Sequence, residues 1–470
     1  MNKTFLTALT GFFFLLAGCS PSPTSQIDPN QLSTIAAETV DAALAATRTA
    51  APVAENTPTQ ASSATQAVLI TATPQPATAV PVGPGMDLQI AFTDGQGNLW
   101  YWKSGNDPLQ LTHSSDVYDF ALSPDGSMVF FSRAVDFVAN SLWLINNDGS
   151  GEREVMSPAD FDGLPRPAQS IGTAPTQLGW IPNKPIAAFS TVHYFNGPGF
   201  IAGDDLRLVD GATGLVSTLL EPGKGGGMYY YSPDGSQIAL VTPNQIDLIN
   251  SDGSNRRSAV LNYDNVLMYT ESPFYAQPVW SADGTKLRVI LLAPDRLGKP
   301  EDPSSVWEIP AAGGKAVKLL DFHLNGLGPG ASISPNLLRL AYFQNVNTGG
   351  QQDLHIANLD GSQDQVYASG SLNWVTWADD PKRFVWTQYG EVGSGRQTFL
   401  GGVGQDPIRL GAPQAPLDLA WVKGDHFLFL NNDGATPPAW SLYLGTVGGP
   451  NQLVADLPAG NGFPKFEFVR

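Results

Sequence analysis

The 470-residue chain has a single cysteine, Cys19, and five histidines. One thiol excludes both a disulfide framework and a thiolate metal cluster. None of His113, His193, His323, His355 and His426 has a second histidine at metal-ligand spacing, so neither a metal nor a cofactor is expected. Charge is sparse and one-sided: 14% of residues are charged, with 25 Lys+Arg against 43 Asp+Glu and a formal net charge of −18. Such a surface repels phosphate backbones, which argues against nucleic acid as a partner. There is no G-x-S-x-G nucleophile elbow and no spare chain for the α/β domain that would carry one. Gly223–Gly227 includes Lys224 but lacks the G-K-S/T of a phosphate loop. Asn146-x-Asp148-x-Ser150-x-Glu152 has the look of a calcium loop, but the same turn recurs without the flanking acid, and a hairpin accounts for it. After the first residues, no hydrophobic run is long enough to span a bilayer.

What the chain does contain begins at its N-terminus. Lys3 precedes an apolar run from Phe5 to Leu16, too short to span comfortably and ending in Leu16-Ala17-Gly18-Cys19. This ending resembles the bacterial lipobox. The resemblance implies an export signal over residues 1–19, cleavage before Cys19, and a diacylglycerol on its thiol. The protein is then expected to be exported and held by lipid on the outer face of the cytoplasmic membrane or on the outer membrane, touching membrane through that anchor alone.

Residues 20–85 are rich in Ala, Thr, Pro, Ser and Gln and poor in aromatics, a composition that cannot offset the entropy of ordering. They read as a disordered tether. Within it, Leu32, Ile35, Ala36, Thr39, Val40, Ala43 and Leu44 recur at helical spacing, so residues 30–50 are expected to form a solitary helix or a self-associating stalk.

From Leu88 the sequence repeats. An apolar residue followed by a tight turn recurs as Leu122-Ser-Pro-Asp-Gly126, Tyr231-Ser-Pro-Asp-Gly235 and Trp280-Ser-Ala-Asp-Gly284. Looser copies start at Trp180, Ile333, Trp377 and Trp421, with steps from the low forties to the high fifties. In such a turn proline presets φ, and glycine supplies the left-handed residue that a hairpin needs. Each turn is followed by an apolar strand, a third strand, a second turn such as Asn147-Asp148-Gly149, and a short outer strand. Four antiparallel strands per repeat make a propeller blade. Seven turns open seven repeats, while Leu88–Thr93, Asn98–Lys103 and Leu109–Thr112 lack an inner strand and Phe463–Val469 lacks partners. Joined, these make a composite eighth blade that hides both edges. Eight blades are expected, or seven if the Trp180 or Trp377 repeat does not form a full sheet.

These turns resemble the TolB-like, WD-repeat-related propellers, and the resemblance spans residues 86–470. It implies the all-β propeller fold and says little about activity. Within a blade the two tight turns lie on one face, and the long insertions, expected over Arg133–Ser141, Ser157–Thr176, Thr191–Asp205, Asn262–Tyr275, Ala293–Ser305, Asn345–Gln352, Thr387–Arg396 and Asn431–Ala439, lie on the other. Long loops are disproportionately functional, and the acids and aromatics they carry suit recognition of a protein or glycan. The residues expected on this binding face are Phe137, Tyr194, Phe195, Asp204, Asp205, Tyr263, Tyr269, Phe274, Tyr275 and Tyr389. The leading expectation is a monomeric binding or scaffold propeller with an envelope protein or glycan as partner and no catalytic residues. The alternatives are a carbohydrate-active enzyme using carboxylates such as Asp204 and Asp205, and a structural envelope protein without a discrete ligand.

Overall fold

The computed structural model describes residues 86–469, apart from 136–137, 197–199, 203–204, 226, 270–271, 296–297, 300, 325–329, 347–349, 379–380, 390–395 and 411–417. The export signal, Cys19, the tether and its 30–50 helix lie outside the described residues, as do Phe137 and Asp204.

Among the described residues the strands pair into eight antiparallel meanders, two of them sharing one long strand. Blade 1 is composite: Gln89–Thr93 pairs on one side with Leu99–Lys103, which leads to Leu109–Gln110, and on the other with the C-terminal strand Phe466–Val469. Blade 2 runs through Val117–Leu122, Met128–Val135, Val138–Asn146 and Arg153–Met156. Blade 3 consists of Ser170–Trp180, Ile186–Phe195, Leu206–Asp210 and Val216–Leu220, with a short fifth strand, Phe200–Ala202. Blade 4 is Met228–Tyr231, Gln237–Thr242, Gln245–Asn250 and Arg257–Asn262. Blade 5 is Val279–Trp280, Lys286–Leu291, Ser304–Pro310 and Val317–Phe322. Blade 6 comprises Ala331–Ile333, Arg339–Asn345 and Gln352–Asn358, and its outer strand is the first half of Gln365–Trp377. The second half of that long strand opens blade 7, followed by Arg383–Tyr389, Arg396–Gly402 and Gln405–Arg409. Blade 8 is Asp418–Lys423, His426–Asn432, Trp440–Thr446 and Gln452–Leu457.

Packing closes these meanders into a ring. Successive side chains of a strand point to opposite faces, so each blade presents one apolar surface to its predecessor and one to its successor. Ile90 and Phe92 pack against Leu428 and Leu442 of blade 8, whereas Ala91 between them faces Phe120 and Phe131 of blade 2. The same alternation joins blades 2 and 3, 3 and 4, 4 and 5, 5 and 6, 6 and 7, and 7 and 8, each seam with its own buried cluster. The two ends of the ring therefore meet in blade 1. Its C-terminal strand covers the edge that Gln89–Thr93 would otherwise expose.

The tight turns owe their shape to their sequence. The Gly126 N–H donates to Ser123 O at 2.8 Å, and the Asp125 carboxylate accepts the Ser123 hydroxyl at 2.7 Å and the Ser127 N–H at 3.1 Å. Gly126 has φ +70°, and a Cβ there would meet the Gln89 side chain of blade 1 at 2.3 Å, so the residue answers both a backbone and a space demand. In the degenerate turns, Asn183 and Leu337 take the left-handed position at φ 62° and 59°. The tryptophan before a turn acts as a rivet. The indole N–H groups of Trp180, Trp280 and Trp377 donate to Ala121 O, Tyr230 O and Ser332 O on the inner strand of the preceding blade, at 2.9, 3.1 and 3.0 Å.

Candidate binding face

Every inner strand runs toward the tight turn that follows it, so the ring has a turn face and a loop face. The connections between second and third strands and between blades emerge on the loop face. Several expected loops prove to be strand. Met128–Val135 and Val138–Asn146 take up most of Arg133–Ser141, and Ser170–Trp180 takes up the end of Ser157–Thr176. Ile186–Phe195 and Phe200–Ala202 pair within Thr191–Asp205. The reason lies in their β-branched and aromatic residues, which gain from cross-strand pairing once the blade beneath sets the register. One helical turn, Pro158–Asp162, stands between blades 2 and 3, with a capping box between Ser157 and Asp160.

The expected site residues fall into separate places. Tyr194 and Phe195 end the second strand of blade 3, where Tyr194 opposes Gly172 and Phe200. A Cβ on Gly172 would lie 2.1 Å from the Tyr194 hydroxyl oxygen, so the ring lies over the glycine. Tyr263, Phe274 and Tyr275 come together in the seam between blades 4 and 5, packed against its cluster. The Tyr263 hydroxyl donates to Thr242 O at 2.6 Å, and burial raises the pKa values of Tyr263 and Tyr275 above the ordinary tyrosine value. These three half-buried rings hold the connection between the blades. Tyr269 lies in a short hairpin strand of that connection, Leu267–Tyr269. Tyr389 stands three blades further on, 51% exposed at the end of the second strand of blade 7.

Asp205 is absorbed by the fold. It is 1% exposed, and one carboxylate oxygen accepts the Thr191 N–H at 3.0 Å and the Thr191 hydroxyl at 2.9 Å. Its other oxygen takes the Arg207 Nε–H at 2.9 Å. A carboxylate so engaged is neither a free acid nor a surface contact. Among the described residues no three His, Cys, Asp or Glu side chains group as metal ligands, and no helix is long and apolar enough to cross a membrane.

A second polar group was not foreseen. Lys465 Nζ lies 3.1 Å from Asp119 Oδ1 and 5.9 Å from the centre of the Tyr118 ring. Beside them Glu467, on the ring-closing strand, accepts the Leu122 N–H at 2.7 Å, which ties blade 1 to blade 2. Desolvation raises its carboxyl to about 7 although part of the side chain stays exposed to solvent; the Leu122 hydrogen bond opposes this, Asp119 adds to it and Lys465 opposes it. Lys465 and Glu467, two residues apart at the start of the ring-closing strand, were the available signal.

No model of a known protein family matches the chain, and no curated protein sequence matches it. Solved structures do. A eukaryotic initiation factor is 12% identical over 80% of this chain and 86% of its own, with a TM-score of 0.47. An oligogalacturonate lyase from Vibrio parahaemolyticus is 10% identical over 69% of this chain and 96% of its own, at 0.43. TolB from Acinetobacter baumannii is 16% identical over 58% of this chain and 62% of its own, at 0.30.

Proposed function

We propose that the chain is an exported propeller, lipid-anchored through Cys19, that binds a protein or glycan partner of the cell envelope on its loop face. One observation carries the binding reading. Of the twelve large apolar side chains exposed among the described residues, six lie on the loop face: Tyr118, Val135, Ile171, Val346, Tyr389 and Phe463. Only Leu215 and Leu338 lie on the turn face, and the remaining four are on outer strands. Apolar groups gathered on one side of a ring, where the other side keeps its surface polar, fit a recognition surface. The anchor would leave the ring free to present this face, with residues 20–85 supplying reach.

Two measurements test the proposal. Metabolic labelling with an alkyne fatty acid marks the wild type and not Cys19→Ser; equal labelling of both removes the anchor. Capture from a detergent-solubilised extract is expected to fall for Tyr118→Ala/Tyr389→Ala/Phe463→Ala, by about 5- to 150-fold, or about 1–3 kcal/mol, for each ring that proves central. Undiminished capture by this variant removes the loop face as the binding surface.

A further inference from the structure

Buried polar groups are nearly always hydrogen-bonded, so one left alone marks a missing partner. Two such groups stand side by side in the seam between blades 7 and 8. Thr387 and Thr398 are register partners on the second and third strands of blade 7. They are 2% and 1% exposed, and neither hydroxyl oxygen has a hydrogen-bond partner. Strand alternation fixes the side they face. Val385, two residues before Thr387, and Leu400, two after Thr398, both pack with Phe427 and Phe429 of blade 8. The hydroxyls continue that surface toward the loop face. On blade 8, Asn431 follows Phe429 by two residues, and its Oδ1 is likewise buried without a partner. Three lone oxygens therefore line the loop-face end of one seam, beyond its apolar cluster. Tyr389, two residues beyond Thr387, stands at the rim.

The chemistry of the three atoms selects the guest. Asn431 Oδ1 only accepts, and each threonine hydroxyl both donates and accepts. An apolar guest leaves all three unmet, and an anion has nothing to offer Asn431 Oδ1. A neutral O–H group satisfies the set. We propose that the loop-face end of the seam between blades 7 and 8 binds a neutral hydroxyl group, held by Thr387, Thr398 and Asn431. Its source is either an internal water or a hydroxyl of a polyol that reaches in past Tyr389. The water source stands on the seam alone, whereas the polyol source rests on the loop-face reading and would make a neutral sugar its ligand.

The test uses the full chain and begins with the sign of a stability change. Thr387→Val/Thr398→Val keeps the side-chain shape and removes both hydroxyls. If a guest bonds them, the variant strands it and Tm falls by several degrees; if they are merely orphaned, isosteric methyl groups leave Tm unchanged or raise it. Thr387→Val alone gives the same sign should the pair fail to fold. Asn431→Ala is expected to couple non-additively to the threonine variants through the shared guest. Methyl α-glucopyranoside, followed by saturation-transfer NMR, separates the sources. A signal lost in the double variant and in Tyr389→Ala assigns the polyol. No signal, with the Tm loss intact, assigns the water and leaves the loop-face reading to its own capture test. An unchanged or raised Tm overturns the proposal whatever the sugar does.

Discussion

The same strands build both faces of the ring, yet the two faces resolve their polar groups in different ways. On the turn face each hairpin satisfies itself, as Asp125, Asp234 and Asp283 accept the serine hydroxyl and backbone N–H of their own turns. Side chains then cross from blade to blade. Lys184 Nζ reaches Gly235 O and Ser251 Oγ, both at 3.3 Å, Asn147 Nδ2 reaches the Tyr101 hydroxyl at 3.3 Å, and Arg153 bonds Gly211 O. On the loop face apolar side chains stay exposed, and the seam between blades 7 and 8 keeps unpartnered oxygens. A surface whose turns bond largely within themselves offers a partner little, and one with unspent apolar area offers much. The comparison supports the proposal that the turn face and its seams carry stability while the loop face carries recognition.

The largest effect that would sharpen this division comes from the ring closure. Deleting residues 466–470 uncovers the edge of Gln89–Thr93 and removes Phe466 from the seam between blades 1 and 8. We expect a loss on the order of 5 kcal/mol, comparable to the whole stability of many domains. A truncated chain that melts with the parent would show that blade 1 is not closed by its C-terminal strand.

Next in size is Asp205→Ala, which strands the buried Arg207 guanidinium and should cost about 3–5 kcal/mol. Capture by the folded fraction should be unchanged. A variant of parental stability that lost capture would return Asp205 to the binding surface and break the division.

Smaller effects follow pH, with opposite directions in two places. Glu467 has its carboxyl raised from 4.5 to about 7 in the folded ring. The fold favours its neutral form, so its contribution is complete below about 4.5 and is lost as pH rises through about 7. Tm of the parent should fall across pH 5–8 relative to Glu467→Gln, which has nothing to titrate. On the turn face, bonds from Ser232 and Ser281, with those from Ser236 and Thr285, hold Asp234 and Asp283 at about 2, below the ordinary 3.8. Their contribution is complete above about 3.8 and is lost as pH falls through about 2, so Asp234→Asn/Asp283→Asn should flatten the acid limb alone. Identical pH profiles for parent and variants would show that neither place couples to folding.

The ring was legible because its signals are local. The Ser-Pro-Asp-Gly turns of blades 2 and 4 and the Ser-Ala-Asp-Gly turn of blade 5 dictate φ and hydrogen bonding within five residues, and they mark those blades. The closure followed from strands left over at each end, and Phe466–Val469 does pair with Gln89–Phe92. The site was less legible because burial depends on neighbours distant in sequence. Tyr263, Phe274 and Tyr275 read as loop aromatics until the apolar residues of blades 4 and 5 close around them. The pairing of Asp205 with Arg207 was within reach, since residues two apart in an extended segment share a face. The lone oxygens of Thr387, Thr398 and Asn431 were not, because no local pattern shows that a hydroxyl lacks a partner.

The most direct test of the division measures Tm and partner capture together on two variants. One is Tyr118→Ala/Tyr389→Ala/Phe463→Ala on the loop face, and the other is Asp148→Ala/Asp252→Ala/Asp360→Ala on the turn face. These three aspartates each accept the hydroxyl and N–H of a serine two residues on, so their loss should lower Tm. The account predicts that the loop-face variant loses capture at near-parental Tm, while the turn-face variant loses Tm and captures normally. Loss of capture in the turn-face variant alone would contradict it.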